Sequence, residues 1–377
     1  MGDEDTGKME MSDRVDELVE RIRPTPASER RRQKISDYVK GLVMRCFEQH
    51  CELEVFSFGS VPLRTFLPDG DIDLCAFSRG KPLPDNWMMR LRAVLEAEGR
   101  KPGAPYTVQD VQTIHAEVKL MKCLVDSVVV DISFNQIGGL CTLSFLEEMD
   151  RRIGQQHLFK RSIILVKAWC YYESRLLGAH HGLISTYALE TLVLYVFNVF
   201  HASLTSPLQV LQTFLRFFSQ FDWEAYCLTL SGPVALASFP HPEVCERSSK
   251  QLWSKPKAVN KGCLTLLFSL DILQVEAPCA GSQAGGEGVS GLLLSEDQLA
   301  HLSSVYTPLL PHQQPRGVGA ADRAPPAPRS FPIKYLNVMD PLLPTNNLGR
   351  SVSRASFFRV CKAFAHGSRA LESVLAI

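Results

Sequence analysis

Apolar residues follow two different periods along the chain, and the change from one to the other predicts two kinds of domain. Within residues 27–155, short apolar or alternating runs predict strands: LEVFSF, DIDLCAF, YTVQDVQTIHAEVKLMKCLV and SVVVDISF. Helical spacing predicts one helix that begins near Ala27 and another from about Trp87 to Glu98. The charged run ERRRQK on the first helix is expected to be a solvated face. This part of the chain is therefore expected to fold as a mixed sheet with helices.

The pattern becomes helical after residue 155. Three strongly apolar segments have helical spacing: HLFKRSIILVKAWCYYESRL, LISTYALETLVLYVFNVF and PLQVLQTFLRFFSQF. Residues 275–330 are rich in Gly, Pro and Ala, which is typical of a flexible insertion. We therefore expect a second, mostly helical domain formed by residues 156–274 and 331–377, and a loose leader over residues 1–26.

Composition restricts the class of protein without identifying it. The 377 residues carry 40 basic and 40 acidic side chains, which argues against a generally basic coat for nucleic acid. The eleven cysteines form no CxxC pair, as expected for reduced thiols in an intracellular protein. The acidic N-terminus does not resemble a secretory signal, and the most apolar run, ALETLVLYVFNVF, is short of a membrane span. These features predict a soluble protein of the nucleus, the cytoplasm or both, with no membrane partner.

The stretch FGSVPLRTFLPDGDIDLCAF places two carboxylates in a segment that otherwise has the pattern of a buried strand. Side chains alternate across a strand, so Asp71 and Asp73 are expected on one face and Ile72 on the other. The same rule places Asp131, in VVVDISF, opposite its apolar neighbours. If the two strands are neighbours, three carboxylates converge, which is tolerable when divalent cations neutralise them.

A Gly-Ser pair, Gly59 and Ser60, precedes the two aspartates. Glycine permits close backbone approach, and amides and a hydroxyl at a helix start can hold phosphate oxygens. A phosphate-binding turn beside three carboxylates is typical of phosphoryl or nucleotidyl transfer with Mg²⁺ or Mn²⁺ by a two-metal mechanism. An isolated DxD is common and is often only a turn with solvated acids, so the interpretation depends on the combination of motifs. The chain has no GxxxxGK[ST] loop, which argues against a P-loop NTPase.

These motifs together resemble one enzyme family. FGSVPLRTFLPDGDIDL, VVVDISF, LVKAWCYYESRLLGAHHGLISTYALETL and DPLLPTNNLGRSV are similar to the noncanonical poly(A) polymerases and terminal uridylyltransferases of the polymerase-beta-like superfamily. The similarity is greatest to plant nucleotidyltransferases with a poly(A) polymerase and oligoadenylate synthetase-like substrate-binding domain. It implies an α+β protein with a palm-like catalytic domain, a mostly helical central domain and a nucleotide cleft between them. It also implies template-independent addition of nucleoside monophosphates, from an NTP, to the 3′ end of single-stranded RNA.

The resemblance assigns site residues position by position. Asp71, Asp73 and Asp131 match the family's catalytic, metal-binding triad, and Gly59 and Ser60 match its phosphate-contacting pair. The positions that bind the triphosphate and the base are matched by residues of the second domain: Lys167, Ser185, Thr186, Tyr187, Asp340, Asn346, Asn347 and Arg350. Relatives that prefer UTP tend to have histidine where Asn346 stands, and an amide can pair with the donor and acceptor edge of adenine, so ATP is expected.

Departures from the family pattern leave parts of the function open. Tyr171 stands where many relatives have a second basic residue for the triphosphate, so Lys160, Arg161 or Arg175 would have to substitute. An Asn-Thr pair near the ribose is replaced by Cys141-Thr142.

Two other classes of function stay open. The same motifs serve enzymes that transfer a nucleotide to a small acceptor or make a nucleotide second messenger, and the fold could also serve as an inactive RNA-binding scaffold. Because no separate RNA-binding domain is visible, RNA would be held weakly or delivered by an adaptor protein.

Overall fold

The computed structural model describes residues 3–79, 81–115, 118–239 and 330–375. These residues divide into two compact units. One unit comprises Arg23–Glu148, and the other comprises residues 3–22, 149–239 and 330–375. The predicted insertion at 275–330 lies almost wholly outside the described residues.

The first unit is built on a five-stranded sheet with strand order β1-β2-β5-β4-β3. Its strands are β1 (Glu52–Phe58), β2 (Ile72–Arg79), β3 (Val108–His115), β4 (Lys119–Val125) and β5 (Val128–Phe134). Its helices are α2 (Pro26–Phe47), α3 (Ser60–Leu63), α4 (Trp87–Gly99) and α5, which begins here and runs Gly138–Ile153. Only β2 and β5 are parallel; the other neighbouring strands are antiparallel.

Alternation along β5 fixes which face of the sheet is buried. Val128, Val130, Ile132 and Phe134 point into an apolar core shared with α2 and α4, while Asp131 lies on the other face, as predicted. The two-residue turn that joins β4 to β5, Asp126-Ser127, has positive φ at both positions, the geometry that suits tight hairpins. The predicted hairpin is therefore confirmed.

The second unit is mostly helical. Its helices are α1 (Asp3–Ile22), α6 (Leu158–Ala168), α7 (Thr186–Phe200), α8 (Pro207–Gln220) and α9 (Arg354–Leu375). A five-residue π-helix, Trp169–Glu173, continues α6. A small hairpin of β6 (Tyr226–Thr229) and β7 (Gly232–Ala235) is extended by a bridge from Leu228 to Val338. In the described residues no single helix is long and apolar enough to cross a membrane; α7 with its following turn and α8 meet that test only together, as a pair bent by 114°.

Four expectations from sequence need correction. The predicted loose leader is wrong, because α1 fills most of it and packs on α6 and α8, with Val19 buried. The long strand predicted from YTVQDVQTIHAEVKLMKCLV is two strands, β3 and β4. The first helical segment predicted for the second domain is an α-helix only to Ala168; it continues as the π-helix and stops at Glu173.

The fourth correction concerns the charged run of α2, which is not a purely solvated face. Arg32 is only 4% exposed, and its neighbour Arg31 donates a hydrogen bond to the carbonyl oxygen of Asp126 at 2.6 Å.

Candidate active site

Strand register brings two of the three predicted carboxylates together. Asp73 of β2 is the direct partner of Asp131 in the parallel pairing with β5. Directly paired residues of neighbouring strands carry their side chains on the same face of the sheet. The two strands are neighbours, so the condition under which the sequence places these carboxylates together is met.

The third carboxylate reaches the same place from a loop. The sequence pattern predicts Asp71 inside a strand, but β2 begins at Ile72, so Asp71 is the last residue of the preceding loop. One carboxylate oxygen from each of Asp71, Asp73 and Asp131 lies within 4.8 Å of the others, and all three residues are half-buried. Clustered carboxylate oxygens are the donors that Mg²⁺ and Mn²⁺ prefer, so the residues present fit a divalent cation.

A lysine outside the sequence motifs contacts this cluster. Lys122 lies opposite Asp131 in the antiparallel pairing of β4 with β5. Its Nζ is 2.7 Å from Oδ1 of Asp131 and 2.9 Å from Oδ2. A cation held in this position offsets part of the repulsion among the carboxylates and fixes the orientation of one of them.

Gly59 sits against the cluster from the end of β1. Its φ of 72° and ψ of −147° lie in a region that is almost restricted to glycine. A Cβ atom at this position would lie 2.4 Å from Oδ2 of Asp73, which no real contact allows. Ser60 follows as the buried first residue of α3. The Gly-Ser pair is thus placed beside the carboxylates, as the sequence motif predicts.

In the second unit, Lys167 lies near a buried acid on the neighbouring helix. Lys167 is half-buried near the end of α6, and Glu190 of α7 is 5% exposed. Burial raises the pKa of Glu190 from 4.5 to about 7, and the charge of Lys167 opposes that rise. Lys167 therefore has an acidic neighbour that its own helix does not supply.

Replacing Glu190 with glutamine is expected to stabilise the protein at neutral and alkaline pH. Between pH 4.5 and 7 the folded chain holds a proton that the unfolded chain has released, so the acid lowers stability progressively as pH rises through this window. The amide of glutamine has no charge to bury. The free energy of unfolding should therefore rise by about 3 kcal/mol at pH 8, and this increase should fall to zero below pH 4.5. Urea unfolding across this pH range measures it, with Glu173→Gln, an exposed acid of the π-helix, as control. A gain independent of pH would contradict the assignment.

Four of the predicted nucleotide-binding residues form one hydrogen-bonded network. The hydroxyl of Tyr187 donates to Oδ1 of Asp340 at 3.1 Å, and Nδ2 of Asn346 donates to Oδ2 at 2.8 Å. Arg350 donates to Oδ1 of Asn346 at 2.8 Å. Burial raises the pKa of Asp340, and these donors lower it. Because Arg350 can only donate, the network fixes which end of the half-buried Asn346 amide is oxygen.

Asn347 has a different environment from its neighbour. It has no exposed surface, and its side chain makes four hydrogen bonds within the unit. Nδ2 donates to Pro332 O and Asn337 Oδ1, while Oδ1 accepts from the amides of Val338 and Gly349, at 2.8–3.2 Å. The side chain therefore stabilises the conformation of the loop around it. Because it is fully buried, it can affect a bound nucleotide only indirectly, through that conformation.

The remaining predicted residues lie around the start of α7. Ser185 is its N-cap, and its hydroxyl accepts from the amide of Ala188 at 3.2 Å. Thr186 is exposed and Tyr187 is half-buried. The loop after Asp340 is joined to this end of the helix, since Ser351 donates to the Leu183 carbonyl oxygen and the Ser353 amide donates to that of Gly182.

The positions where the sequence departs from the family pattern can also be located. Tyr171 is exposed on the π-helix, a distortion often found at functional sites. Lys160 is buried 3.6 Å from Asp150, and Arg161 donates to the carbonyl oxygens of Gln155 and Gln156. Arg175 is exposed. Cys141 has no exposed surface.

Two family models match the chain. The PAP/OAS1 substrate-binding domain matches residues 153–267 and 290–377. The central palm domain of the mitochondrial-like poly(A) RNA polymerase matches residues 11–147. A search of curated protein sequences finds no match.

Solved structures give the same fold. A structure of Cid1, described for its RNA terminal uridylyl transferase activity, is 17% identical and has a TM-score of 0.56, covering 97% of this chain and 94% of that one. A structure of a cytoplasmic RNA terminal U-transferase is 16% identical and has a TM-score of 0.54; the match covers 97% of this chain and 98% of that one. The two family models and the shared fold together identify the mixed sheet with helices as a palm domain of the polymerase-beta-like fold, and the helical unit as a domain of the PAP/OAS1 type.

The PAP/OAS1 model alone matches more than half of the chain, and the palm model matches most of what precedes it. The protein belongs to the poly(A)/U polymerase-like family of nucleotidyltransferases that carry a PAP/OAS1 substrate-binding domain.

Proposed function

We propose that this enzyme adds nucleoside monophosphates, without a template, to the 3′ end of single-stranded RNA. The observation that carries the proposal is the convergence of Asp71, Asp73 and Asp131 within 4.8 Å beside Gly59 of a palm domain. Similar proteins support the choice of RNA: one Cid1 structure is described for RNA terminal uridylyl transferase activity and another is a complex with a short product, ApU.

In the proposed reaction the 3′ oxygen of the RNA attacks the α-phosphorus of the NTP. A new P–O bond forms, the bond to the β-phosphate breaks, and pyrophosphate leaves with that electron pair. The hydroxyl proton passes to solvent or to a carboxylate of the cluster. Mg²⁺ or Mn²⁺ bound by the three aspartates would favour ionisation of the attacking hydroxyl and offset the charge of the leaving pyrophosphate.

Residues of the chain supply the positioning that this reaction needs. Lys122 holds the carboxylate of Asp131, and Gly59 leaves room for that of Asp73. We assign phosphate contacts to Gly59 and Ser60, and triphosphate binding to Lys167. In this proposal residues 27–155 carry the chemistry, while the helical domain, 156–274 with 331–377, recognises the nucleotide.

We propose ATP as the preferred nucleotide, with Asn346 as the residue that reads the base and Tyr187 as the ring that stacks on it. With one N–H engaged by Asp340 and its oxygen engaged by Arg350, Asn346 still has one donor and one lone pair in fixed positions. Those two groups suit the donor and acceptor edge of adenine. Work on Cid1 described as explaining UTP selectivity includes a His-to-Asn mutant bound to MgATP.

The test is extension of a labelled single-stranded RNA with each NTP separately, in Mg²⁺ and in Mn²⁺. We expect a ladder with ATP, little with UTP, and none on RNA whose 3′ hydroxyl is blocked. In Asn346→His the ratio of ATP to UTP incorporation should fall at least about 10-fold, the size of one lost hydrogen-bonding match.

Other outcomes would favour the alternatives. Nucleotide consumption without RNA extension would favour a small acceptor or second-messenger synthesis. Nucleotide binding without any turnover would favour a scaffold, and extension that appears only with a binding partner would favour delivery of the RNA by an adaptor protein.

A further inference from the structure

The three carboxylates of the site are held in place by different means. Asp73 and Asp131 belong to paired strands, so the hydrogen bonds of the sheet fix their backbones. Asp71 lies just outside β2, at the end of a loop that runs from residue 64 to 71. Its position therefore depends on whatever holds that loop.

Arg32 of α2 is bound to this loop. One of its guanidinium nitrogens donates to the carbonyl oxygens of both Pro68 and Gly70, each at 2.9 Å. The guanidinium carbon lies 4.2 Å from the centre of the Phe66 ring, in a cation–π arrangement. Gly70 is the residue immediately before Asp71, so these contacts act next to the carboxylate.

Burial of Arg32 indicates a specific structural purpose. Only 4% of its surface is exposed. A buried arginine needs partners for its charge, and the loop supplies them. Burial, followed by the charge of Arg31, lowers the pKa of Arg32, and the carboxylates of Asp71 and Asp69 raise it. The cation is thus matched to two acids of the loop and to two of its carbonyl oxygens.

We infer that Arg32 is a positioning residue of the metal site, which holds the loop of residues 64–71 so that Asp71 points at Asp73 and Asp131. The inference rests on the proposed function, in which Asp71 is a metal ligand. It also gives part of the charged run of α2 a purpose other than solvation.

The experiment measures Mn²⁺ binding to the full chain by electron paramagnetic resonance, with no nucleotide or RNA. Arg32→Met should weaken binding about 10-fold or more, the usual effect of removing a group that orients a metal ligand. The direction of the change in Mn²⁺ affinity is informative, because loss of a nearby positive charge alone would strengthen binding. Arg31→Met is the matched control: it removes the adjacent positive charge on the same helix, but its hydrogen bond goes to the carbonyl oxygen of Asp126, outside the loop of residues 64–71, so binding should not weaken.

A second pair of variants separates positioning from general damage. In an Asp71→Asn background, Arg32→Met should not weaken Mn²⁺ binding further, because the ligand that it positions is already lost and only the loss of a positive charge remains. Arg32→Lys keeps the charge without the planar, two-carbonyl contact, and should bind Mn²⁺ less tightly than the wild type even if Arg32→Met fails to fold.

Several results would overturn the inference. Folded Arg32→Met or Arg32→Lys protein with unchanged or tighter Mn²⁺ binding would do so, as would an equal loss in the Asp71→Asn background. Failure of the proposed function is recognised separately: in that case the wild type itself would show no Mn²⁺ binding that Asp71→Asn and Asp73→Asn weaken.

Discussion

Gly59→Ala is expected to lose about 10²-fold or more of the nucleotidyl transfer activity. The added Cβ would lie 2.4 Å from Oδ2 of Asp73, so either the carboxylate or the end of β1 must move by about 1 Å. Displacement of a catalytic group by that distance typically reduces the rate by about 10². The backbone conformation, with φ of 72°, is also strained for alanine and should cost about 1–3 kcal/mol of stability. Single-turnover extension of RNA and thermal unfolding measure the two effects.

Gly103→Ala is the matched control for this variant. Gly103 has the same φ of 72°, but a Cβ there would meet no atom within 4 Å. It should show a stability loss from the backbone alone and keep its activity. If both variants retain activity equally, the close approach of Gly59 to Asp73 has no catalytic importance.

Asn347→Ala is expected to destabilise the protein by about 4 kcal/mol. The substitution leaves the buried amides of Val338 and Gly349 without their acceptor, and the carbonyl oxygen of Pro332 without a donor. Each buried polar group left without a partner costs about 1–3 kcal/mol. Urea unfolding measures the loss, which is a large part of the stability of an ordinary domain.

Asn346→Ala, in contrast, is expected to change nucleotide selectivity more than stability. Asn346 is half-buried and its two side-chain partners, Asp340 and Arg350, are themselves held by other contacts, so stability should change by less than about 1.5 kcal/mol. Selectivity for ATP should fall instead. Equal loss of stability in the two variants would contradict the separate roles assigned to these adjacent asparagines.

The sheet and two of the three carboxylates follow from local sequence rules. Alternation along VVVDISF places Asp131 opposite the core, and the short Asp-Ser turn predicts the hairpin. A two-residue turn also fixes the register that pairs Lys122 with Asp131, so the sequence is sufficient to predict that salt bridge. The identity of the residue alone does not indicate the contact, because lysine at a strand position is usually solvated.

Other features depend on contacts between distant residues. Asp71 lies outside β2, and nothing in DGDID indicates where the strand begins. Arg32 and the loop it holds are separated by more than thirty residues, and Glu190 approaches Lys167 from another helix. The four bonds of Asn347 connect residues from 332 to 349, whereas in sequence it is indistinguishable from Asn346. Such differences depend on tertiary packing, which periodicity does not encode.

The proposed function requires the three carboxylates to form a centre for nucleotidyl transfer to RNA. Its most direct test is incorporation of labelled AMP at the 3′ end of a single-stranded RNA by the wild type, by Asp73→Asn and by Asp110→Asn. Asp110 is an exposed acid of β3 in the same sheet, with a positive φ that asparagine tolerates, so this control removes one charge without touching the site. We expect incorporation by the wild type and by Asp110→Asn, and a loss of about 10³-fold or more in Asp73→Asn. Equal incorporation by folded Asp73→Asn protein would contradict it.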